Sequence, residues 1–324
     1  MKIGFVIVAI VGFAVATAII GYTGFGAVFS SLAAVGWGGF AFLCAYAALP
    51  YAILGTAWFV LIRGVAISQW GTLVWARLLR EAASELLPFT QVGGFLIGAR
   101  AAAIQGIDGG VSLATTVVDV TTELIAQLGF TGLGISILVM HLGGSSRGAD
   151  LIGASLIGLA LTSVGAAGFI ALQRHGMRFV EQLAQRFVPS AVAGTGELRL
   201  AFLDLYRRRA RLALSVGLHL ASWIASAAGV WLALRLSGVE IGLGAVMAIE
   251  SLVLAVRSAT FFAPMGVGVQ EAAYALIGPV FGLSLEMSLA LSLLKRAREL
   301  AIGLPALLIW QGLEGRRLIV GARQ

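Results

Sequence analysis

Residues 110–141 read GVSLATTVVDVTTELIAQLGFTGLGISILVMH. Crossing a bilayer takes about 20 apolar residues at roughly 1.5 Å each, and this run is long enough. It nevertheless carries two carboxylates, Asp119 and Glu123, four apart and therefore on one helical face. Five further runs of spanning length lie at 3–22, 37–62, 150–172, 212–236 and 286–311. The reading is an all-α, polytopic integral membrane protein. Composition agrees, with 59% of the 324 residues hydrophobic and 11% charged, where soluble domains carry roughly 25% charged residues. So little charge cannot cover a soluble surface, which excludes a soluble enzyme and a disordered chain. The 43 glycines, about twice the usual share, fit helices that pack closely in lipid. The first run follows Lys2 and contains Ala14-Val15-Ala16, as a signal peptide would. A single Lys is a thin n-region and the run continues to Ile20, so it is read as a first transmembrane helix.

The formal net charge is +7, from 22 basic and 15 acidic residues. Its placement decides what it means. Segment 173–211 holds Arg174, Arg178, Arg186, Arg199, Arg207, Arg208, Arg209 and Arg211, and the tail holds Arg316, Arg317 and Arg323. The loops at 23–36, 143–149 and 237–243 contain only Arg147 and Glu240. By the positive-inside rule the basic stretches are cytoplasmic. Both termini are then expected in the cytoplasm, in a bacterial inner membrane. The charge is a topology signal and not a nucleic-acid surface. Cys44 is the single cysteine, so no disulfide or cysteine metal site can form. His141, His175 and His219 share no recurring spacing, so no metal site, cofactor or histidine-based catalytic set is expected, and His219 reads as a packing residue.

With 173–211 inside, residues 63–109 begin and end on the cytoplasmic face, while 237–285 begin and end outside. Each is largely apolar with a central proline, Pro88 or Pro264, next to glycines (Gly93 and Gly94; Gly266 and Gly268). Two re-entrant hairpins, 69–106 and 244–282, are the simplest solution, with those prolines and glycines as hinges. The domains expected are a first membrane half at 1–172, a basic cytoplasmic loop at 173–211, and a second membrane half at 212–324. The halves also echo each other. Gly64-Val65-Ala66-Ile67 matches Gly238-Val239-Glu240-Ile241. Pro88 and Pro264 stand 176 residues apart, as do Glu123-Leu124 and Glu299-Leu300, and Asp119 aligns with Lys295. Because 37–62 runs inward and 212–236 outward, the repeat is expected to be inverted, as in many secondary transporters.

Ionisable groups in a bilayer cost at least about 2.5–3.5 kcal/mol each on insertion scales. Here they cluster beside the hairpins. Two carboxylates on one face repel unless a cation intervenes, and an Asp119–Lys295 pair is the natural expectation from the repeat. Asp119, Glu123 and Glu299 form a candidate proton or ion relay, or a charge-pairing set. Arg100, Arg257, Lys295, Arg296 and Arg298, with Gln270 and Glu271, are candidates to bind a lipid headgroup, since guanidinium meets phosphate bidentately. For Arg77 and Arg80 a second reading stays open. With Trp70 and Trp75, residues 69–83 also read as an amphipathic interfacial helix whose arginines face water.

The stretch Pro264-Met265-Gly266-Val267-Gly268-Val269-Gln270-Glu271-Ala272-Ala273, followed by Leu293-Leu294-Lys295-Arg296 and Gly303, resembles the flippase-like transmembrane domain of the lysylphosphatidylglycerol synthase superfamily. Leu87-Pro88, Gly93-Gly94 and Arg100 are similar to that family's earlier element. The resemblance covers roughly 37–312. Bifunctional members carry a soluble aminoacyltransferase domain after the membrane part. The chain stops at Gln324, so tRNA-dependent aminoacylation is not expected. Stand-alone members of this size are similar to membrane proteins associated with hopanoid biosynthesis.

The leading expectation is a bacterial inner-membrane lipid translocase, or a lipid-binding accessory, for an anionic or polycyclic lipid, and not an enzyme. Its partners would be membrane lipids, with lipid-biosynthesis enzymes and a homodimer left open, and no nucleic acid. Two rivals remain. One is a membrane-embedded transferase or hydrolase with Asp119, Glu123 or Glu271 as general base. The other is a scaffold that gathers lipid-synthesis enzymes through the basic loop.

Overall fold

The computed structural model describes residues 26, 30, 33–87, 90–142, 153, 156, 157, 159, 160, 163–168, 171, 207–260 and 267–321. The expected span at 3–22, much of that at 150–172, most of the basic loop, and the hinge residues Pro88, Pro264 and Gly266 lie outside the described residues. The described chain is helical, with no strand among the described residues.

Helices α1 (Gly36–Tyr46) and α2 (Ala48–Phe59) run almost end to end. Pro50 sits in the first turn of α2, where its missing N–H costs least. Together they make one stretch, Gly36–Phe59, long and apolar enough to cross a membrane. After Gly64, at φ +72°, and a short 3-10 turn comes α3 (Trp70–Leu86). It stops because a proline follows: Leu87 is extended, at φ −94° and ψ 140°, as the residue before proline prefers to be. Helix α4 (Thr90–Ile104) returns against α3. The antiparallel contact is close because Gly94 and Gly98 have no Cβ; one built on Gly98 would lie 2.9 Å from Arg80 Cβ. Gly93 and Gly94 thus lie inside α4, away from the break expected to hinge there.

One more long helix completes the first half. Helix α5 (Gly109–Leu142) starts on a turn with Gly106 at φ +97°, and Asp108 caps it by accepting the Val111 N–H at 2.9 Å. Helix α6 (Arg209–Leu236) leads to α7 (Leu243–Ala259) through Gly238 at φ +77°. Helix α8 (Val269–Ile277) then precedes a 3-10 turn, Gly282 at φ +87°, and α9 (Leu285–Gly321). Ser284 caps α9 by accepting the Met287 N–H at 3.1 Å. Left-handed glycine, capping side chain and first helical residue therefore recur in order, Gly106-x-Asp108-Gly109 and Gly282-x-Ser284-Leu285, at the separation of the two prolines.

Two apolar clusters form the core. One joins α2, α3 and α4 to the far end of α9, through Trp58, Leu73, Leu79, Ala306 and Leu307. The other joins α1, α6, α7 and α8 to the far end of α5, through Ile135, Leu138, Ile249, Leu252 and Tyr274. Each helix pair is thus clasped by the long helix of the other half. Helices α5 and α6 also have spanning length and apolarity. Helix α9 is long enough, but it carries Lys295, Arg296, Arg298 and Glu299 within two turns.

Candidate functional site

Burying charge in an apolar protein is unfavourable unless every charge meets a partner. Three clusters meet that condition. The largest lies between α3, α5 and α6. Arg77 and Arg80 are three apart on α3, and Asp119 and Glu123 four apart on α5, so each pair presents one face. Arg77 donates to Asp119 Oδ2 at 2.5 Å and to Glu123 Oε1 at 2.7 Å. Arg80 donates to Asp119 Oδ2 at 2.6 Å and to Glu123 Oε2. Both guanidiniums therefore touch both carboxylates, which removes the repulsion between the acids. Glu81 joins through Arg77 Nη2 at 2.9 Å, and the Phe95 ring lies 4.4 Å from the Arg80 guanidinium carbon. His219 on α6 completes the set, its Nε2 3.0 Å from Asp119 Oδ1. Arg77, Arg80, Asp119 and His219 are all buried, so α3 is not a surface helix with its arginines in water.

The second cluster belongs to α7, α8 and α9. Lys295 Nζ lies 2.6 Å from Glu250 Oε2 and 2.8 Å from the Tyr274 hydroxyl, and that hydroxyl donates to Glu250 Oε1. The third is at the start of α8. There the Gly268 N–H donates to Glu271 Oε2 at 2.8 Å, and Arg296 holds Glu271 Oε1 at 2.9 and 3.1 Å. Gln270 donates to Ser292 Oγ at 3.0 Å. Asp119 and Lys295, expected to pair because they stand 176 residues apart like the two prolines, do not pair with each other. Each meets an opposite charge from the shorter helix of its own half, with the signs reversed.

Two ion pairs join the halves, Arg257–Glu85 at 2.6 Å and Arg100–Glu314 at 2.5 Å. Of the five cations expected at a headgroup, four are consequently neutralised. Arg298 alone has neither a hydrogen bond nor an ion pair among the described residues, and the same holds for the acid Glu299. Arg298 lies half-buried at one end of a shallow apolar cleft between α1, α6 and α9, lined by Phe40, Leu43, Val230, Ala233, Leu291 and Leu294. Gly229 opens the cleft floor beside it: a Cβ there would fall 2.9 Å from the Tyr46 ring and 3.8 Å from Arg298 Nη1.

The sequence reading took His219 for a packing residue, left Arg77 and Arg80 open between a site and an interfacial helix, and assigned no role to Glu250 or Tyr274. A signal for His219 existed. Ser215, His219 and Ser222 put a polar stripe on one face of an otherwise apolar span.

Apolar helices of spanning length, interrupted helix pairs and paired charges buried between them define an all-helical integral membrane protein. A family model described as the lysylphosphatidylglycerol synthase TM region matches residues 9–306, and the chain belongs to that family. No curated protein and no solved structure matches it.

Proposed function

We propose that the chain is a bacterial inner-membrane lipid translocase of flippase type, which takes a lipid by an anionic headgroup at Arg298. The observation that carries this reading is a half-buried guanidinium, without a hydrogen bond or ion pair among the described residues, beside an apolar cleft. A half-buried cation in a chain this poor in charge needs an anion. A lipid phosphate supplies one while its acyl or polycyclic part lies along Phe40, Leu43 and Leu291. A non-enzymatic role is favoured because Asp119, Glu123 and Glu271, the carboxylates that could act as a base, are already engaged by arginines. The helix pairs α3/α4 and α7/α8 act as re-entrant hairpins related by inversion. Support comes from their interrupted, short helices and from the recurring glycine–cap–helix turns. The distribution of arginines favours cytoplasmic termini.

The test uses purified protein in vesicles with a fluorescent phosphatidylglycerol in the inner leaflet. Wild-type protein should expose the label to an outside quencher. Arg298→Ala should slow that exposure at least tenfold while unfolding close to the wild type, because no hydrogen bond or ion pair among the described residues is lost. Equal rates for the two proteins would refute the assignment, and a covalently altered lipid would favour an enzyme. Cysteine placed at residue 240 should react only from outside; reaction only from the cytoplasm would break the inverted arrangement.

A further inference from the structure

A second place on the molecule gathers cations with little acid beside them. Arg63 follows the end of α2, and Arg211 lies in the first turn of α6. Helix packing brings them together: Arg211 Nη1 lies 3.4 Å from the carbonyl oxygen of Ile62, the neighbour of Arg63. Arg207 and Arg209 stand beside Arg211 in the chain, and all four side chains are exposed. Arg63, Arg207 and Arg209 have neither a hydrogen bond nor an ion pair among the described residues. The described acids at this end of the helices are engaged, Asp108 in capping α5 and Glu314 in holding Arg100. The preceding segment cannot neutralise the arginines either, because 173–211 holds eight of them against Glu181, Glu197 and Asp204.

The surroundings are those of a membrane–water boundary. Ile67 and Trp70, a few residues after Arg63, are exposed, and the Trp70 indole is fixed by donating to Thr56 Oγ1 of α2 at 2.9 Å. Tryptophan collects at that boundary because its ring is apolar while its N–H is a donor. Along α6 the charge then gives way to apolar surface. Leu214 shares the face of Arg211 and is exposed, and Gly217, three residues further, has open space around it. These two positions lie about 4.5 Å and about 9 Å beyond Arg211 along the axis. A cationic rim that opens onto an apolar, unfilled helix face has the order of groups of a phospholipid.

We infer that an anionic glycerophospholipid binds between the end of α2 and the start of α6, its phosphate between Arg63 and Arg211 and one acyl chain along Leu214 and Gly217. Guanidinium suits the phosphate because it offers paired N–H donors. Arg207 and Arg209 add attraction, about fivefold in affinity for each cation near an anionic surface. The bound lipid bridges the halves, since α2 belongs to the first and α6 to the second, and so stabilises the packed molecule as any ligand of the folded state does. The site is separate from the Arg298 cleft: Gly229, beside Arg298, stands 18 residues after Arg211, about 27 Å along α6. It does not rest on the translocase reading; only its assignment to the cytoplasmic leaflet uses the proposed orientation.

The test equilibrates purified protein in micelles with equal amounts of phosphatidylglycerol and phosphatidylcholine of matched chains, and counts retained lipid by native mass spectrometry. Phosphatidylglycerol should be retained in preference, and Arg63→Gln/Arg211→Gln should lower that preference by at least about tenfold. Arg316→Gln/Arg317→Gln removes the same charge from the tail and should leave the preference nearly unchanged. An equal loss in both pairs means diffuse attraction and overturns the site, as does a wild type without preference. Gly217→Leu changes no charge and should lower retention by filling the chain's track; unchanged retention overturns the chain placement. The unfolding midpoint should rise with phosphatidylglycerol in the wild type and not in Arg63→Gln/Arg211→Gln, whose fold is checked by its midpoint in phosphatidylcholine. Arg298→Ala should keep the preference. A preference that vanishes there assigns the lipid to the cleft and overturns the rim site. A preference kept there, with vesicle lipid exposure unslowed by the same substitution, overturns the Arg298 reading and leaves the rim site standing.

Discussion

Asp119→Ala is the sharpest test of how the charge cluster holds the helices together. The carboxylate is fully buried and accepts from Arg77, Arg80 and His219. Removing it leaves two buried guanidiniums to share Glu123 and an imidazole donor with no acceptor. Breaking a buried ion pair by deleting one partner costs about 3–5 kcal/mol, whereas a typical hydrogen bond between membrane helices is worth about 0.6 kcal/mol. The larger figure should govern, because stranded charge and not a lost hydrogen bond is the main penalty. Glu123 still engages both arginines, so the lower end, about 3 kcal/mol, is expected. At roughly 2–4 °C per kcal/mol, the midpoint in mild detergent, followed by helical circular dichroism, should fall by at least about 6 °C. Arg235→Ala is the control. It breaks the Arg235–Glu240 pair, which is 3.6 Å apart with side chains 46% and 90% exposed, and should cost less than about 1 kcal/mol. A double-mutant cycle with Arg77→Ala should show coupling of about 1–3 kcal/mol. If Asp119→Ala unfolds within about 1 kcal/mol of wild type, or the cycle is additive, the cluster does not hold α3 to α5.

Four more outcomes follow from the packing. A Cβ at Gly55 would lie 2.6 Å from Val74 Cα, which is backbone and cannot move aside, so Gly55→Ala should cost about 1–3 kcal/mol. Gly132 has open space around it, and Gly132→Ala should be neutral or stabilising by up to about 1 kcal/mol, read by the same unfolding assay. Tyr274→Phe leaves Glu250 and Lys295 paired but removes the hydroxyl between them, for a loss of about 1–3 kcal/mol. Gly229→Leu should push on the Tyr46 ring, 2.9 Å from the new Cβ, at a cost of about 1–3 kcal/mol, and fill the cleft beside Arg298 so that vesicle lipid exposure slows; unchanged exposure would move the lipid path elsewhere.

The long apolar runs made the helical membrane class legible without coordinates, since bilayer thickness and helix rise leave few alternatives. The proline-centred breaks were legible for the same local reason: Leu87 is extended because Pro88 follows. The pairing of charges was not. Asp119 and Lys295 stand 176 residues apart like the two prolines, which says nothing about distance, and each is met within its own half by residues a helix away. Arg77 and Arg80 lie beside Trp70 and Trp75, a pattern that serves an interfacial helix and a buried one equally well. Only tertiary packing, through the missing Cβ atoms of Gly94 and Gly98, puts the arginine face inside. His219 needed the same information, because a lone histidine in an apolar helix acquires meaning only from the carboxylate opposite.

The exposure of the ion pairs also sorts them by what moving the halves would disturb. The charge clusters that hold each half contain dry pairs: Arg77 and Arg80 with Asp119 are 2% exposed or less, and Lys295 with Glu250 is 12% and 8%, whereas Arg235 with Glu240, also within one half, is on the surface at 46% and 90%. The carboxylate–guanidinium pairs that cross between halves are wetter, with Glu85 and Arg257 at 27% and 23% and Arg100 and Glu314 at 34% and 17%. Breaking a dry pair strands a charge, whereas a wet pair can exchange its partner for water or a headgroup at little cost. A rocking of one half on the other would therefore spare the clusters that hold each half and spend only the crossing pairs. The exception is His219 with Asp119, which crosses between the halves and is fully buried.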